Sequence, residues 1–374
     1  MKTISKKTLS RRELLKGVGA GVATAVLGGS MAFPAPAIAK NRKIDFTLSW
    51  LPTGAYAYVT LAKQLFWKKR GLDVSVKRGY GSLTTIQAMN TGKFDVGGAA
   101  TSTSLLGMFR GLDLKFVATH AYDSTMGLIV PADGPIKTPT DFEGKKLGLV
   151  QASGETPFLP AYFKLAGVDQ SKIKTVALDS TLIEQALLSG RVDFIVGFGM
   201  SSIPNFIMKG FKVKLFPFSG VGLKFYWVNA LIRPDFLRRE PQVSADIVAG
   251  LLEGQKYALL NPEEAVERHL KEYPEIAATD NGKHYTELGV GMINANLVTE
   301  ETMKHSIGYT DLAKIGEQVK LVRKFISKKE DPNPPPVESF CTNEYIGKVT
   351  LTPQEWKSAR DKARSYGEIL GLKI

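Results

Sequence analysis

Asn90-Thr91-Gly92-Lys93-Phe94-Asp95-Val96-Gly97 is echoed later in the chain by Leu188-Ser189-Gly190-Arg191-Val192-Asp193-Phe194-Ile195. Each copy reads as a helix end, a glycine and a strand, because glycine supplies the left-handed conformation that stops a helix. Both strands run into small residues, Gly98-Ala99-Ala100-Thr101-Ser102 in one and Gly197-Phe198-Gly199-Met200-Ser201 in the other, where bare backbone can come close to a ligand. The repeat implies two related α/β modules. In open α/β sheets, ligands sit beyond the carboxyl ends of the strands, near helix N-termini that offer free N–H groups. Two such modules facing each other make a cleft.

The flanking sequence fits this scheme, with short β-rich runs alternating with amphipathic segments. Strands are expected at 44–50, 73–76, 94–97, 115–118 and 126–130, with helices at 56–70, 83–90 and 103–110. A second set follows the turn-rich 131–144: strands at 146–150, 174–177 and 192–196, helices at 157–165 and 182–188. After a strand at 224–232, long helices are expected at 243–260, 262–273, 284–295 and 311–325. Asp331-Pro332-Asn333-Pro334-Pro335-Pro336 is a stiff linker, and 353–370 a final charged helix. That helix either covers the first module or mediates dimerisation.

Ahead of the modules, Ser10-Arg11-Arg12-Glu13-Leu14-Leu15-Lys16 reads as a twin-arginine export motif, followed by a weakly apolar run to Phe33 and an A-x-A cleavage site before Lys40. The run is too short and too rich in Gly and Ala for a spanning helix. Residues 1–39 are therefore expected to be a cleaved signal peptide, and the mature protein to be periplasmic. Its removal lowers the net charge from +13 to +8, without any basic run interleaved with aromatics, which argues against nucleic acid. The single Cys341 rules out an intramolecular disulfide.

No motif for bond chemistry is present. His120, His269, His284 and His305 have no metal-ligand spacing to one another or to Cys341, and there is no nucleophile elbow or phosphate-binding loop. No cofactor is expected. Arg78-Gly79-Tyr80-Gly81-Ser82 reads as a strand-to-helix turn opening onto the cleft. Trp50 and Tyr56 lie where the first strand hands over to the first helix and suit contact with a flat ligand or a small anion, whereas Tyr58 reads as core. Gln151-Ala152-Ser153-Gly154-Glu155-Thr156-Pro157 joins a strand to a helix and is the strongest ligand-site candidate of the second module; a plain helix cap by Ser153 or Thr156 is the alternative. A carboxylate at Glu155 opposes an anionic ligand unless it points to solvent, and if buried it can accept hydrogen bonds from an amino group.

The runs Leu48-Ser49-Trp50-Leu51-Pro52-Thr53, Gly81-Ser82, Thr91 to Gly97, Phe142-Glu143-Gly144-Lys145-Lys146-Leu147-Gly148 and Ser189-Gly190-Arg191-Val192-Asp193 together resemble the periplasmic substrate-binding proteins of ABC importers, in the group that binds nitrate, taurine, alkanesulfonates and thiamine pyrimidines. The resemblance spans about 43–325. It implies a type II periplasmic binding fold: lobe 1 from 40–130 and 229–330, lobe 2 from 131–228, crossovers near 129–133 and 224–228, and a ligand trapped by hinge closure. Residues 331–374, the linker and last helix, lie outside it. By position, Trp50, Tyr56, Ser82, Thr101 and Ser102 would face the ligand from one lobe and Ser153, Glu155 and Thr156 from the other, with Phe198 nearby and Tyr226 or Trp227 at the hinge. The implied partners are a small-molecule solute, either an oxyanion or sulfonate or a nitrogen heterocycle, and a membrane permease, with the chain itself a monomer. Fungal pyrimidine synthases resemble the same group but need a histidine after the Trp-x-Pro run and a cysteine-rich segment; here Gly54-Ala55-Tyr56 and a lone Cys341 stand instead.

Overall fold

The computed structural model describes residues 41–374; the twin-arginine motif, the apolar run and the cleavage site before Lys40 lie outside them. The chain begins with β1 (Arg42–Thr47), and a continuous helical run over 54–70, with α1 (Ala57–Leu61) at its start, ends at Gly71 in left-handed conformation (φ 70°). There follow β2 (Leu72–Lys77), α2 (Ser82–Asn90), β3 (Val96–Ala100), α3 (Thr101–Phe109) and β4 (Lys115–Thr119). The next group is β5 (Met126–Pro131), β6 (Lys146–Leu149), α4 (Leu159–Leu165), β7 (Lys174–Ala177), α5 (Ile183–Leu188), β8 (Phe194–Phe198), α6 (Gly199–Met208) and β9 (Val213–Pro217). After β10 (Val228–Ile232) the chain is helical: α7 (Pro234–Arg239), α8 (Pro241–Leu260), α9 (Pro262–Glu272), α10 (Pro274–Ala277), α11 (Gly282–Leu297), α12 (Glu300–His305), α13 (Leu312–Phe325), α14 (Val337–Phe340) and α15 (Pro353–Leu370).

The strands form two five-stranded sheets, ordered β2-β1-β3-β10-β4 and β7-β6-β8-β5-β9. In each, four strands run in the same direction and one is antiparallel: β10, between β3 and β4, and β5, between β8 and β9. The orders are equivalent, and the strand that each sheet receives from across the molecule is the antiparallel one. The echoed segments accordingly supply the central strands β3 and β8. Both strands start two residues later than their sequence suggests, because the turns closed by Gly92 (φ 78°) and Gly190 (φ 70°) extend through Asp95 and Asp193.

Because β5 pairs with β8 and β9 throughout, the first crossover is 120–125 rather than 129–133. The second runs over 218–227 and includes 224–227. The crossovers meet where the Tyr122 and Tyr226 rings pack edge to face, 5.3 Å apart. Asn296 of α11 pins the first, its Oδ1 accepting from the N–H groups of Tyr122 (2.5 Å) and Asp123 (2.9 Å) while its Nδ2 donates to the Asp123 carbonyl (2.8 Å).

Sequence reading missed α6 and β9. Pro204 inside α6 argues locally against a helix, yet the segment places Met200, Ile203 and Phe206 in the core. Tertiary burial outweighs propensity there. At the other end of the chain, Cys341 forms a parallel bridge to Phe116 at the edge of the first sheet, and α15 packs on α11 and α8. This helix starts at Thr352, whose hydroxyl accepts from Glu355 N–H (3.2 Å) while the Glu355 carboxylate accepts from Thr352 N–H (2.7 Å), a reciprocal cap. Among the described residues no helix is long and apolar enough to cross a membrane.

Candidate functional site

The carboxyl ends of the central strands in both sheets open onto one cavity of about 30 Å³. Ser49, Trp50, Tyr56 and Ser82 bound it on the first-sheet side; Ser153, Glu155 and Phe198 bound it on the second; Trp227 closes it from the second crossover. That space holds about one water.

The walls approach closely because glycines stand at the contact. A Cβ on Gly81 would lie 2.2 Å from the Ala152 carbonyl oxygen, and one on Gly154 would lie 2.5 Å from Thr103 Oγ1. Gly81 also has φ +120°, which side-chain-bearing residues rarely adopt. The Thr103 hydroxyl, at the start of α3, donates to the Gly154 carbonyl at 2.9 Å, a buried bond from one side of the cavity to the other.

Aromatic rings make up much of the wall. Trp227 lies 6.2 Å from Tyr56 and 6.0 Å from Phe198, both tilted by 44°. The Tyr56 hydroxyl shares a hydrogen bond with Ser49 at 2.7 Å, and burial pushes its pKa up to about 12, so the phenol stays neutral. Tyr58, as expected from its helical spacing, is buried away from the cavity against the His120 ring, 4.9 Å distant.

The charge of the cavity is carried by carboxyl groups. Glu155 is 2 % exposed and accepts from the Ser153 hydroxyl at 2.5 Å. Burial pushes its pKa up to about 7 against the opposing effect of that bond. Behind the wall, half-buried Glu184 at the start of α5 accepts from Ser202 of α6 at 2.8 Å, and burial likewise raises it to about 7. Each negative charge disfavours the other, and Glu184 raises Glu155 further. Among the described residues no Lys or Arg lines the cavity.

Three residues expected at the site are placed elsewhere. The Thr101 hydroxyl donates to Asn229 Oδ1, Ser102 faces Met126 Sδ at 3.8 Å, and the Thr156 hydroxyl donates to the Val150 carbonyl at 2.7 Å. Thr101 and Ser102 are fully buried where α3 starts straight after β3, and their hydroxyls are directed to Asn229 and Met126 instead of the cavity. Neither Ser153 nor Thr156 caps a helix: a tight turn over Thr156–Phe158 precedes the short α4. Conversely, Ser49, Ser201, Ser202 and the Glu184 behind them were not singled out from sequence, although Ser49 lies beside Trp50 in a quoted run. Ser201 ends the small-residue run quoted after the second strand, but Ser202 lies beyond it in the unanticipated α6, and recognising that helix would have drawn it in.

A larger cavity of about 290 Å³ lies under the C-terminal helix, between α9, α11 and α15, with Glu263, Glu287 and Tyr366 on its wall. It is walled by helices alone and receives no strand end. Among the described residues no three His, Cys, Asp or Glu side chains come together as a metal site. Cys341 is 2 % exposed, and burial raises its thiol to about 12.

This architecture is shared with known proteins. The alkanesulfonate-binding protein SsuA from Xanthomonas axonopodis pv. citri, solved bound to MOPS, superposes with a TM-score of 0.60 at 14 % identity, over 80 % of this chain and 98 % of that one. The periplasmic nitrate-binding protein NrtA from Synechocystis PCC 6803 gives 0.58 at 10 % identity, over 88 % and 90 %. Both likenesses show a periplasmic binding protein fold. In sequence, the 4-amino-5-hydroxymethyl-2-methylpyrimidine phosphate synthase THI13 of Saccharomyces cerevisiae is 20 % identical over 321 residues, which is 81 % of this chain and 88 % of that protein. The family model described as NMT1/THI5 like matches residues 54–265, a stretch that holds every residue named above on the wall of the cavity between the sheets except Ser49 and Trp50. By that match, over more than half of its length, the chain belongs to the NMT1/THI5-like family.

Proposed function

We propose that this chain is an exported solute-binding protein that takes up a small organic solute between two lobes and presents it to the membrane permease of an ABC importer. The observation that carries the reading is a single cavity bounded by the strand ends of both sheets, with aromatic rings and hydroxyls on its wall. Lobe 1 comprises the first sheet with the helices after β10, and lobe 2 the second sheet. The two crossovers form the hinge, and parting of the lobes at Thr103 and Gly154 admits the solute. No bond is made or broken by this chain. The family also includes proteins named as pyrimidine phosphate synthases, but the stretch Gly54-Ala55-Tyr56 just after Trp50-Leu51-Pro52 holds no histidine and the chain has one buried cysteine.

For the solute, the buried Glu155 favours a nitrogen heterocycle or another donor-bearing molecule over an oxyanion or sulfonate. An anion would face a carboxyl group without an opposing cation, and the turn at Thr156–Phe158 provides no long helix to offset it.

The test is a thermal-shift screen of the purified protein against sulfonates, nitrate, pyrimidines and amines, with mass spectrometry of small molecules released on denaturation. A solute at 100 times its dissociation constant adds about 2.7 kcal/mol of stability. One chemical class that raises the melting temperature, or one released solute, supports the reading. A protein that neither responds nor releases anything refutes it.

A further inference from the structure

Resting on the solute-binding reading above, we propose that the solute is a small organic cation carrying N–H donors, such as a protonated primary amine, with Glu155 as its counter-ion and Glu184 setting the charge preference from behind Ser202. Three observations converge on this class. Glu155 is almost wholly buried at the cavity, and among the described residues its only side-chain hydrogen-bond partner is Ser153. A second carboxyl lies behind the same wall, bonded to Ser202, and among the described residues no Lys or Arg lines the cavity to balance either. The remaining wall is rich in rings, Trp50, Tyr56, Phe198 and Trp227, whose π faces attract cations and whose apolar surface takes the carbon frame.

The local charge runs against that of the whole chain, which has an excess of Lys and Arg. Its origin is therefore the arrangement of the cavity and not bulk composition. An ammonium group seated here exchanges water for a carboxylate and aromatic faces, and Glu155, costly to ionise when buried without a cation, gains a partner. A neutral solute leaves that cost in place, and a sulfonate adds to it. Glu184 is a positioning residue: its carboxylate holds the Ser202 hydroxyl and adds negative potential without lining the cavity itself.

The experiment compares matched probes that share a frame and differ in charge: ethylamine, ethanol and ethanesulfonate, and benzylamine, benzyl alcohol and phenylmethanesulfonate. Binding is measured calorimetrically at pH 8 on full-length protein stripped of carried solute by unfolding and refolding. In at least one frame the amine is expected to bind best, and Glu155→Gln to weaken it about 100-fold. Glu184→Gln is expected to lower the amine-over-alcohol ratio roughly fivefold while leaving the alcohol unchanged; a merely structural role would weaken both alike. Melting temperatures of the empty variants verify folding. A preference for the alcohol or the sulfonate overturns the cation proposal and leaves the solute-binding reading intact. If no probe binds, the charge of the solute released from untreated protein decides: a cation supports the proposal, a neutral molecule or an anion overturns it. Absence of both binding and released solute overturns it together with the solute-binding reading.

Discussion

Gly81 and Ala152 meet backbone to backbone where the two sides of the cavity touch, so closely that a Cβ on Gly81 would lie 2.2 Å from the Ala152 carbonyl oxygen. The contact joins the turn after β2 to the loop after β6, and Thr103 bonds Gly154 beside it. The bonded contact therefore depends on the absence of a side chain at Gly81.

Replacing Gly81 with alanine is expected to hold the two walls apart, since the displaced atom is a backbone oxygen and φ +120° adds strain of its own. The expected result is a larger radius of gyration by small-angle scattering and faster release of bound solute. An unchanged scattering profile and release rate would show that this contact does not govern opening.

The raised pKa of Glu155 gives a pH signature. The group sits at about 7 in the folded chain and at about 4.5 when unfolded, so between these values the folded state binds more protons. Stability from this group is thus full below about pH 4.5 and declines as pH rises through 7, by on the order of 3 kcal/mol in total. Glu155→Gln removes the dependence: the difference in stability between variant and parent is expected to grow from pH 5 to pH 8 in the variant's favour. Parallel denaturation curves across that range would refute the assignment.

Asn296 makes three hydrogen bonds to the first crossover and is 2 % exposed. Asn296→Ala leaves the N–H groups of Tyr122 and Asp123 and a carbonyl without these partners. The expected loss is about 3 kcal/mol, read as a lower urea midpoint at unchanged slope. A loss below about 0.5 kcal/mol would mean that water replaces the side chain.

The C-terminal helix rests on a second close approach. A Cβ on Gly291 would lie 2.4 Å from the Tyr366 ring, so Gly291→Ala is expected to displace α15. Hydrogen exchange over 353–370 should then rise while exchange in β3 and β8 stays unchanged. Equal protection in the variant would show that the Tyr366 ring swings aside without moving the helix.

Much of this molecule is visible in local pattern. Helix-stopping glycines at 92 and 190 and the apolar strands after them are short-range signals, because the backbone conformation of one residue and the period of a few neighbours decide them. Trp50, Tyr56, Ser153 and Glu155 were readable as site candidates for the same reason, standing at junctions that follow strands, where an α/β sheet exposes its ligand face, whereas Ser82, Phe198 and Trp227 were named through the family resemblance. Thr101, Ser102 and Thr156 occupy similar positions but turn their hydroxyls to Asn229, Met126 and the Val150 carbonyl, a choice of rotamer that no pattern of residue types encodes.

Other features arise only when the two sheets come together. The helix α6 survives Pro204 because Met200, Ile203 and Phe206 are buried, and it carries Ser201 and Ser202 to the cavity. The antiparallel places of β5 and β10, and with them the crossover at 120–125, depend on which sheet accepts each strand. The two raised carboxyl groups are likewise a tertiary property. A glutamate's charge is written in the chain, but the loss of water around it and the nearness of a second glutamate are consequences of packing between segments far apart in sequence.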